Sequence, residues 1–296
     1  MTDICDLGTA SPTQRTQRTQ RTRRDRCPGV LRPWKADDGL LLRIRLVGGH
    51  VSADALRTLG RIATAHGNGR ILVTTRANLQ LRALPDDGTG HVPSEILDEI
   101  RAVGLLDHPE HDLVRNIMVS PATGLAGGRA DLRALATELD RLVVASPTLA
   151  TLPGKFLFVL DDRGDLRSHE CDLGVIALDA ETVQLRLDDH FGEVIPLAEA
   201  AVTLAAMAEQ FVVARGTGAD APWHLREMPT FPFPTQEADP RVGEPVEPLP
   251  FGPTEAGNHV EIGRDGLPVE RLDEVLGAAP EVIITGWYGL LVPAQP

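Results

Sequence analysis

Residues 70–82 read R-I-L-V-T-T-R-A-N-L-Q-L-R, and a shorter form of the same pattern, E-V-I-I-T-G-W-Y-G-L-L-V-P, returns at 281–293. Each is a β-rich apolar run, broken by a polar or glycine-containing turn, that resumes as a second apolar run, the mark of two strands joined by a turn. An amphipathic segment precedes each copy, 52–65 before the first and 268–276 before the second. Setting Thr74 against Thr285 places Arg76 opposite Trp287 and Asn78 opposite Gly289. A chain that uses one helix–strand–strand unit twice can build a pseudo-symmetric body with a cleft between its halves. Clefts of that kind are favoured places for a ligand. The competing reading is two hairpins alike by chance.

The rest of the chain divides around this repeat. Residues 1–26 carry R-T-Q-R-T-Q-R-T-Q-R-T-R-R, too poor in apolar side chains to offset the entropy of ordering, so a disordered tail is expected. A first half-domain is expected over 27–106, an α+β domain over 107–215, a proline-rich linker over 216–245 and a second half-domain over 246–296. Within them, 39–46 reads as a strand with Arg43 and Arg45 alternating against apolar neighbours. Ser52 is an N-cap for a helix carrying Leu56, Leu59 and Ile62, stopped at Gly67 and Gly69. Ser94 caps a helix to Val103, 113–119 is a strand interrupted by Arg115-Asn116, and 131–144 is a helix striped by Leu132, Leu135, Leu139 and Leu142. A strand at 155–160, a hairpin of 172–178 with 182–187, and an alanine-rich helix at 197–214 follow. Strands and helices alternate irregularly, which predicts an α+β class.

Composition excludes more than it assigns. A net charge of −13 argues against a general nucleic-acid binder, which needs a basic face. No apolar run reaches the roughly 18 residues of a membrane span, and the N-terminus lacks the apolar core of a signal peptide, so a cytoplasmic protein without a membrane partner is expected. The cysteines are Cys5, Cys27 and Cys171, with no Cys-x-x-Cys spacing. Neither a structural zinc site nor a disulfide framework is indicated, and a four-cysteine iron–sulfur cluster cannot be built from this chain.

Three positions put positive charge in or beside an apolar strand: Arg76 after T-T, Arg115 in L-V-R-N-I-M-V, and Lys155 opening K-F-L-F-V-L. Lys155 and Lys35 are the only lysines; every other basic side chain is arginine. A buried cation needs an anionic partner or a solvated cavity. If the three strand ends converge they form a cationic pocket for a small oxyanion or for the carboxylates of a larger ligand, with Asn78, Gln80 and Asn116 as neutral neighbours. The plain alternative is three separate salt bridges, each worth under about 1 kcal/mol. D-H-P-E-H at 107–111 has a superficial metal-site look, but its proline and short spacing match no helical zinc motif. His169 and His224 default to structural roles. No G-x-S-x-G, Walker loop or G-x-G-x-x-G is present.

Taken together, C-P-G-V-L-R-P-W at 27–34, T-T-R-A-N-L-Q-L at 74–81, R-N-I-M-V-S-P at 115–121, L-P-G-K-F at 152–156 and T-G-W-Y-G-L-L at 285–291 resemble the siroheme-dependent nitrite and sulfite reductase family, most closely its cobalamin-pathway branch, the precorrin-3B synthases. The resemblance implies two ferredoxin-like half-domains with a pseudo-two-fold relation and an intervening α+β domain. It implies that Arg76, Arg115 and Lys155, with Asn116 and Asn78, line the face where tetrapyrrole and substrate meet. It also implies siroheme or another iron centre and a four-iron–four-sulfur cluster as cofactors, and a carboxylated, precorrin-type tetrapyrrole as the small-molecule partner. The family's second lysine, two residues after the first, is Leu157 here, which favours the corrin branch over sulfite or nitrite reduction. Gly286 and Tyr288 stand where the family has proline and arginine in T-P-W-R-G. The family's cluster cysteines and axial iron ligand have no counterpart in this sequence, which leaves open a partner chain supplying them, a degenerate tetrapyrrole-binding scaffold, or a fragment of a siroheme reductase.

Overall fold

Ser52 has extended backbone and its Oγ accepts the Ala55 N–H, satisfying one of the orphan donors at a helix start. The helix that follows turns Leu56, Leu59 and Ile62 to one buried side, and Gly67 closes it. This is the first of five helices in a computed structural model that describes residues 25–294; most of the expected tail lies outside them. In chain order the elements are β1 (Trp34–Ala36), β2 (Gly39–Ile44), β3 (His50–Ser52), α1 (Ala53–His66), β4 (Arg70–Val73), β5 (Leu79–Leu84) and α2 (Ser94–Ala102). Next come β6 (Ile117–Val119), α3 (Arg133–Ala145), β7 (Phe158–Asp161), β8 (Leu173–Ala177), β9 (Thr182–Leu187), β10 (His190–Pro196) and α4 (Ala200–Arg215). The chain finishes with β11 (Gly252–Thr254), β12 (Gly257–Glu261), β13 (Leu267–Pro268), α5 (Leu272–Leu276), β14 (Glu281–Thr285) and β15 (Gly289–Pro293). They build three five-stranded sheets, an α+β architecture.

The two outer sheets are copies of one design and exchange a strand. One has the order β1-β2-β5-β4-β13 and the other β11-β12-β15-β14-β3. The short strand before each helix therefore pairs with the opposite half: β3 lies on β14, with Val282 opposite Val51, and β13 lies on β4, with Leu267 opposite Ile71. The bonds that seat the exchange are equivalent. Ala53 N–H donates to the Pro280 carbonyl at 2.9 Å, and Val269 N–H donates to that of Gly69 at 3.0 Å. Both sheets send their helix-side residues into one core, where Leu56, Leu59, Leu79 and Leu81 of the first half meet Leu272, Leu276, Val282 and Leu290 of the second.

The middle sheet has the order β10-β9-β8-β7-β6, parallel from β6 to β8 and antiparallel from β8 to β10. Its core holds Phe156, Phe158 and Phe211, with Leu135 and Leu139 from α3 and Leu204 and Ala208 from α4. By length and composition Leu197–Arg215 passes as a membrane span. Burial of Ala200, Leu204, Ala208 and Phe211 makes it a helix of this core, although Val202 and Val213 on its outer side are exposed. The stretch 216–245 carries short 3-10 turns and lies across the sheet, where Gln184 bonds the Glu237 carbonyl and the Asp239 N–H. The middle sheet joins the first half through a parallel bridge of Val47 with Ile117 and the bond from Gly48 N–H to the Ile117 carbonyl.

Several local expectations shift. The strand expected at 113–119 is confined to β6, because 113–116 is a turn with Val114 N–H on the His111 carbonyl and Asn116 N–H on that of Val114. Lys155 likewise precedes its strand, in a turn closed by Phe156 N–H on the Pro153 carbonyl. Ser94 is the first residue of α2 rather than its cap, a place taken by Pro93.

Candidate functional site

The turns at 74–78 and 285–289 close their hairpins in the same register. Leu72 pairs with Gln80 as Ile283 pairs with Leu291, and Val73 pairs with Leu79 as Ile284 pairs with Leu290. Ala77 and Tyr288 hold equivalent positions, and both sit in the left-handed region at φ 53° and 59°. The alignment of Thr74 with Thr285 is thus the one the backbone adopts. The two turns meet at a seam: a Cβ on Gly286 would lie 2.8 Å from the Thr75 carbonyl oxygen and 2.8 Å from His169 Nε2. Only glycine permits that approach.

Arg76 reaches across the seam. Its Nη1 donates to the Lys155 carbonyl at 2.8 Å, and its Nη2 stands 3.6 Å from Glu170 Oε2. Lys155 extends its ammonium over the Trp223 ring, 5.4 Å from the centroid, a geometry in which the ring's negative face attracts the cation. Arg226, three residues on from Trp223, donates to the other oxygen of Glu170 at 2.8 Å and faces Asp188 at 3.4 Å. Asp172 fixes this loop to the sheet by accepting from the His224 ring at 3.1 Å, the Leu225 N–H at 2.9 Å and the Leu157 N–H at 2.9 Å. The result is a face on which Arg76 and Arg226 flank one half-exposed carboxylate, with the Lys155 ammonium held over Trp223 of the loop that carries Arg226.

Arg115 does not join that group. It makes a bidentate pair with Asp140 of α3, at 2.7 and 2.8 Å, and lines a shallow pocket with Arg45, Leu105, Leu106, His108 and Asp112. Asn116 and Asn78 are buried supports behind the face. Asn116 Nδ2 donates to the Gly154 and Phe156 carbonyls while its Oδ1 accepts from Arg45 Nε at 3.0 Å. Asn78 Oδ1 accepts the Leu46 N–H, and its Nδ2 lies 3.4 Å from Asn116 Oδ1. Gln80 accepts from Arg43 at 3.2 Å. Burial lowers the Arg45 guanidinium to about 10, so it stays charged at neutral pH, where the Pro28 and Asp112 carbonyls also accept from it.

Glu170 and Arg226 escaped the sequence reading because each sits in a loop among other charges, with no apolar strand to make it conspicuous. His169 is set between Trp287, 5.9 Å between ring centroids, and the seam. Burial, with Arg186 nearby, drops it to about 4, which leaves the ring neutral at pH 7. His111 of the D-H-P-E-H stretch is buried, with Nε2 3.1 Å from the Ser146 carbonyl.

The iron centres that the sequence resemblance implies need thiolate or imidazole ligands. Among the described residues no three His, Cys, Asp or Glu side chains are placed to hold a metal ion. The described cysteines, Cys27 and Cys171, are both buried, and burial pushes the Cys171 thiol up to about 12, so it is not a thiolate. An iron–sulfur cluster does not fit the described residues. The carboxylate seated between Arg76 and Arg226 is the chain's own Glu170.

Residues 34–99 match the model of the nitrite/sulfite reductase ferredoxin-like half domain. The chain is 31% identical over 141 residues to a precorrin-3B synthase of Sinorhizobium sp, covering 47% of this chain and 28% of that protein. It is 31% identical over 136 residues to a ferredoxin–nitrite reductase of Synechococcus elongatus, covering 44% and 26%. With the ferredoxin-type sulfite reductase 2 of Mycolicibacterium paratuberculosis it shares 28% identity over 155 residues, covering 49% and 27%. The matches therefore span less than a third of each of these relatives. In three dimensions the chain superimposes on the NirA protein of Mycobacterium tuberculosis with a TM-score of 0.63 at 19% identity, covering 89% of this chain and 56% of that one.

Proposed function

We infer that this chain, whose residues 34–99 match the nitrite/sulfite reductase ferredoxin-like half domain, binds and orients a carboxylated tetrapyrrole at the seam between its half-domains, as the anion-binding part of a precorrin-3B synthase-like oxidoreductase of corrin biosynthesis. One observation carries the reading: Arg76, bonded to the Lys155 carbonyl of the middle domain, and Arg226 flank a half-exposed carboxylate beside the turn of the other half, with the Lys155 ammonium over the neighbouring Trp223. Guanidinium and ammonium groups recognise carboxylates by charge-assisted hydrogen bonds, and a corrin precursor carries many carboxylates. Leu157 in place of a second lysine removes a cation that a small oxyanion would use, which supports the corrin branch. The siroheme and iron–sulfur chemistry of the family's reductases enters only with ligands beyond the described residues.

Titration of uroporphyrin, followed by its absorbance, tests the binding reading. Arg76→Ala and Lys155→Met should each weaken binding by about 1–3 kcal/mol, the range for hydrogen bonds to charged groups. Superimposable curves for both variants and the parent would exclude the face as the binding site.

A further inference from the structure

We propose that Arg76 and Arg226 form a carboxylate subsite whose present occupant, Glu170, is the chain's own stand-in for an acid arm of the tetrapyrrole. This rests on the binding reading above and names a recognition residue, Arg226, and a gating residue, Glu170, within it.

The geometry is that of a bridged carboxylate. One oxygen of Glu170 takes Arg226 Nη2 at 2.8 Å, and the other faces Arg76 Nη2 at 3.6 Å, beyond hydrogen-bond length. Two guanidinium groups on either side of one carboxylate are how proteins clasp a ligand acid group. The two arginines are unlike Glu170 in their anchoring. Arg76 is fixed by the Lys155 carbonyl, and Arg226 is steadied by Asp188 and by the Asp172-pinned loop it rides on. Glu170 has no other hydrogen-bond partner among those the structure describes for its side chain, and that side chain is 54% exposed. A half-exposed ion pair in water is a weak clasp. A ligand carboxylate that brings further contacts of its own can take its place, leaving the glutamate to swing into solvent.

Local charge argues the same way. Arg76 and Arg226 are two cations set against the two carboxylates of Glu170 and Asp188. With Glu170 in place the face is close to neutral; with it displaced the face is cationic and suits an acid-bearing ligand. Glu170 thus sets a threshold: a ligand with one isolated acid group competes poorly with the resident side chain, whereas one with several acid arms anchors elsewhere on the face and displaces it. The neutral ring of His169 next to Glu170 adds no charge of its own.

The experiment uses the full chain and compares uroporphyrin with a water-soluble porphyrin bearing N-methylpyridinium groups and no carboxylates. Glu170→Gln should bind uroporphyrin about 3- to 10-fold more tightly than the parent, the change expected on removing a weak competing anion. It should give no gain for the cationic porphyrin. Arg226→Gln should weaken uroporphyrin about 10-fold, and Glu138→Gln, which neutralises an exposed carboxylate on α3, should leave it unchanged. Unaltered affinity in Glu170→Gln or in Arg226→Gln, alongside a loss in Arg76→Ala, overturns the subsite and spares the binding reading. An equal gain in Glu138→Gln reduces the effect to net charge and overturns it too. No uroporphyrin binding by the parent or by Glu170→Gln removes both.

Discussion

Asp161, Asp162 and Asp165 crowd the turn after β7 and are almost wholly buried, yet Asp162 finds a hydrogen-bond partner for neither carboxylate oxygen. The hydroxyls beside it are committed elsewhere. Ser120 donates to Asp165 at 2.7 Å, and Thr123 donates to the Ala130 carbonyl at 3.1 Å. Burial, only partly offset by the nearby Thr123 and Ser120 hydroxyls and reinforced by the Asp165 carboxylate, raises Asp162 to about 7, and burial raises Asp165 to about 6. A folded-state value above the unfolded one means the native chain holds the extra proton, so the stabilising contribution is complete below about 3.8 and is lost as pH rises through about 6 and 7. Asp162→Asn, which cannot ionise, should therefore be more stable than the parent by about 1–3 kcal/mol at pH 8, the cost of a buried unsatisfied group, and near parity at pH 4. Urea midpoints at the two pH values measure this, and a difference independent of pH contradicts it. None of this was visible in D-D-R-G-D, which reads as an ordinary polar turn. The cationic residues were legible to different degrees. Arg76 and Lys155 stand out against apolar neighbours, and so does Arg115, but sequence offers no way to see that Asp140, a full helix away in the chain, neutralises it.

At the scale of elements the repeat was readable and the exchange of strands was not. Helix–strand–turn–strand periodicity spans enough residues in each copy to be seen, and the register confirms the alignment of Thr74 with Thr285. The exchanged strands, β3 and β13, are three and two residues long. Segments that short carry no alternation, and their pairing is decided by backbone approach. Gly49 is the clearest case. It sits at φ 78°, and a Cβ there would overlap the Ile284 carbonyl oxygen of β14, while its own carbonyl accepts the Ile284 N–H at 2.8 Å. Gly49→Ala should lower stability by about 2–4 kcal/mol, since strain and a lost seam bond combine; a urea midpoint equal to the parent's would mean the exchange tolerates separation. The left-handed backbone of Ala77 and Tyr288 was equally hidden, because neither residue type advertises positive φ.

The molecule as a whole is a paired body in which each half completes the other's sheet and both fill one core, with the middle domain laid against the seam. Composition and periodicity led to α+β and to two related halves. The proposed binding face depends on the exchange, because β3 and β13 hold the halves in the one orientation that sets Thr75 against Gly286. A tetrapyrrole bound there must touch segments from three parts of the chain at once. Hydrogen exchange on the full chain, with and without saturating uroporphyrin, reads this directly. Amide exchange should slow at 74–78, 155–157 and 285–289 together in the bound state; slowing restricted to one of these stretches, or found only on surfaces away from all three, would contradict binding at the seam.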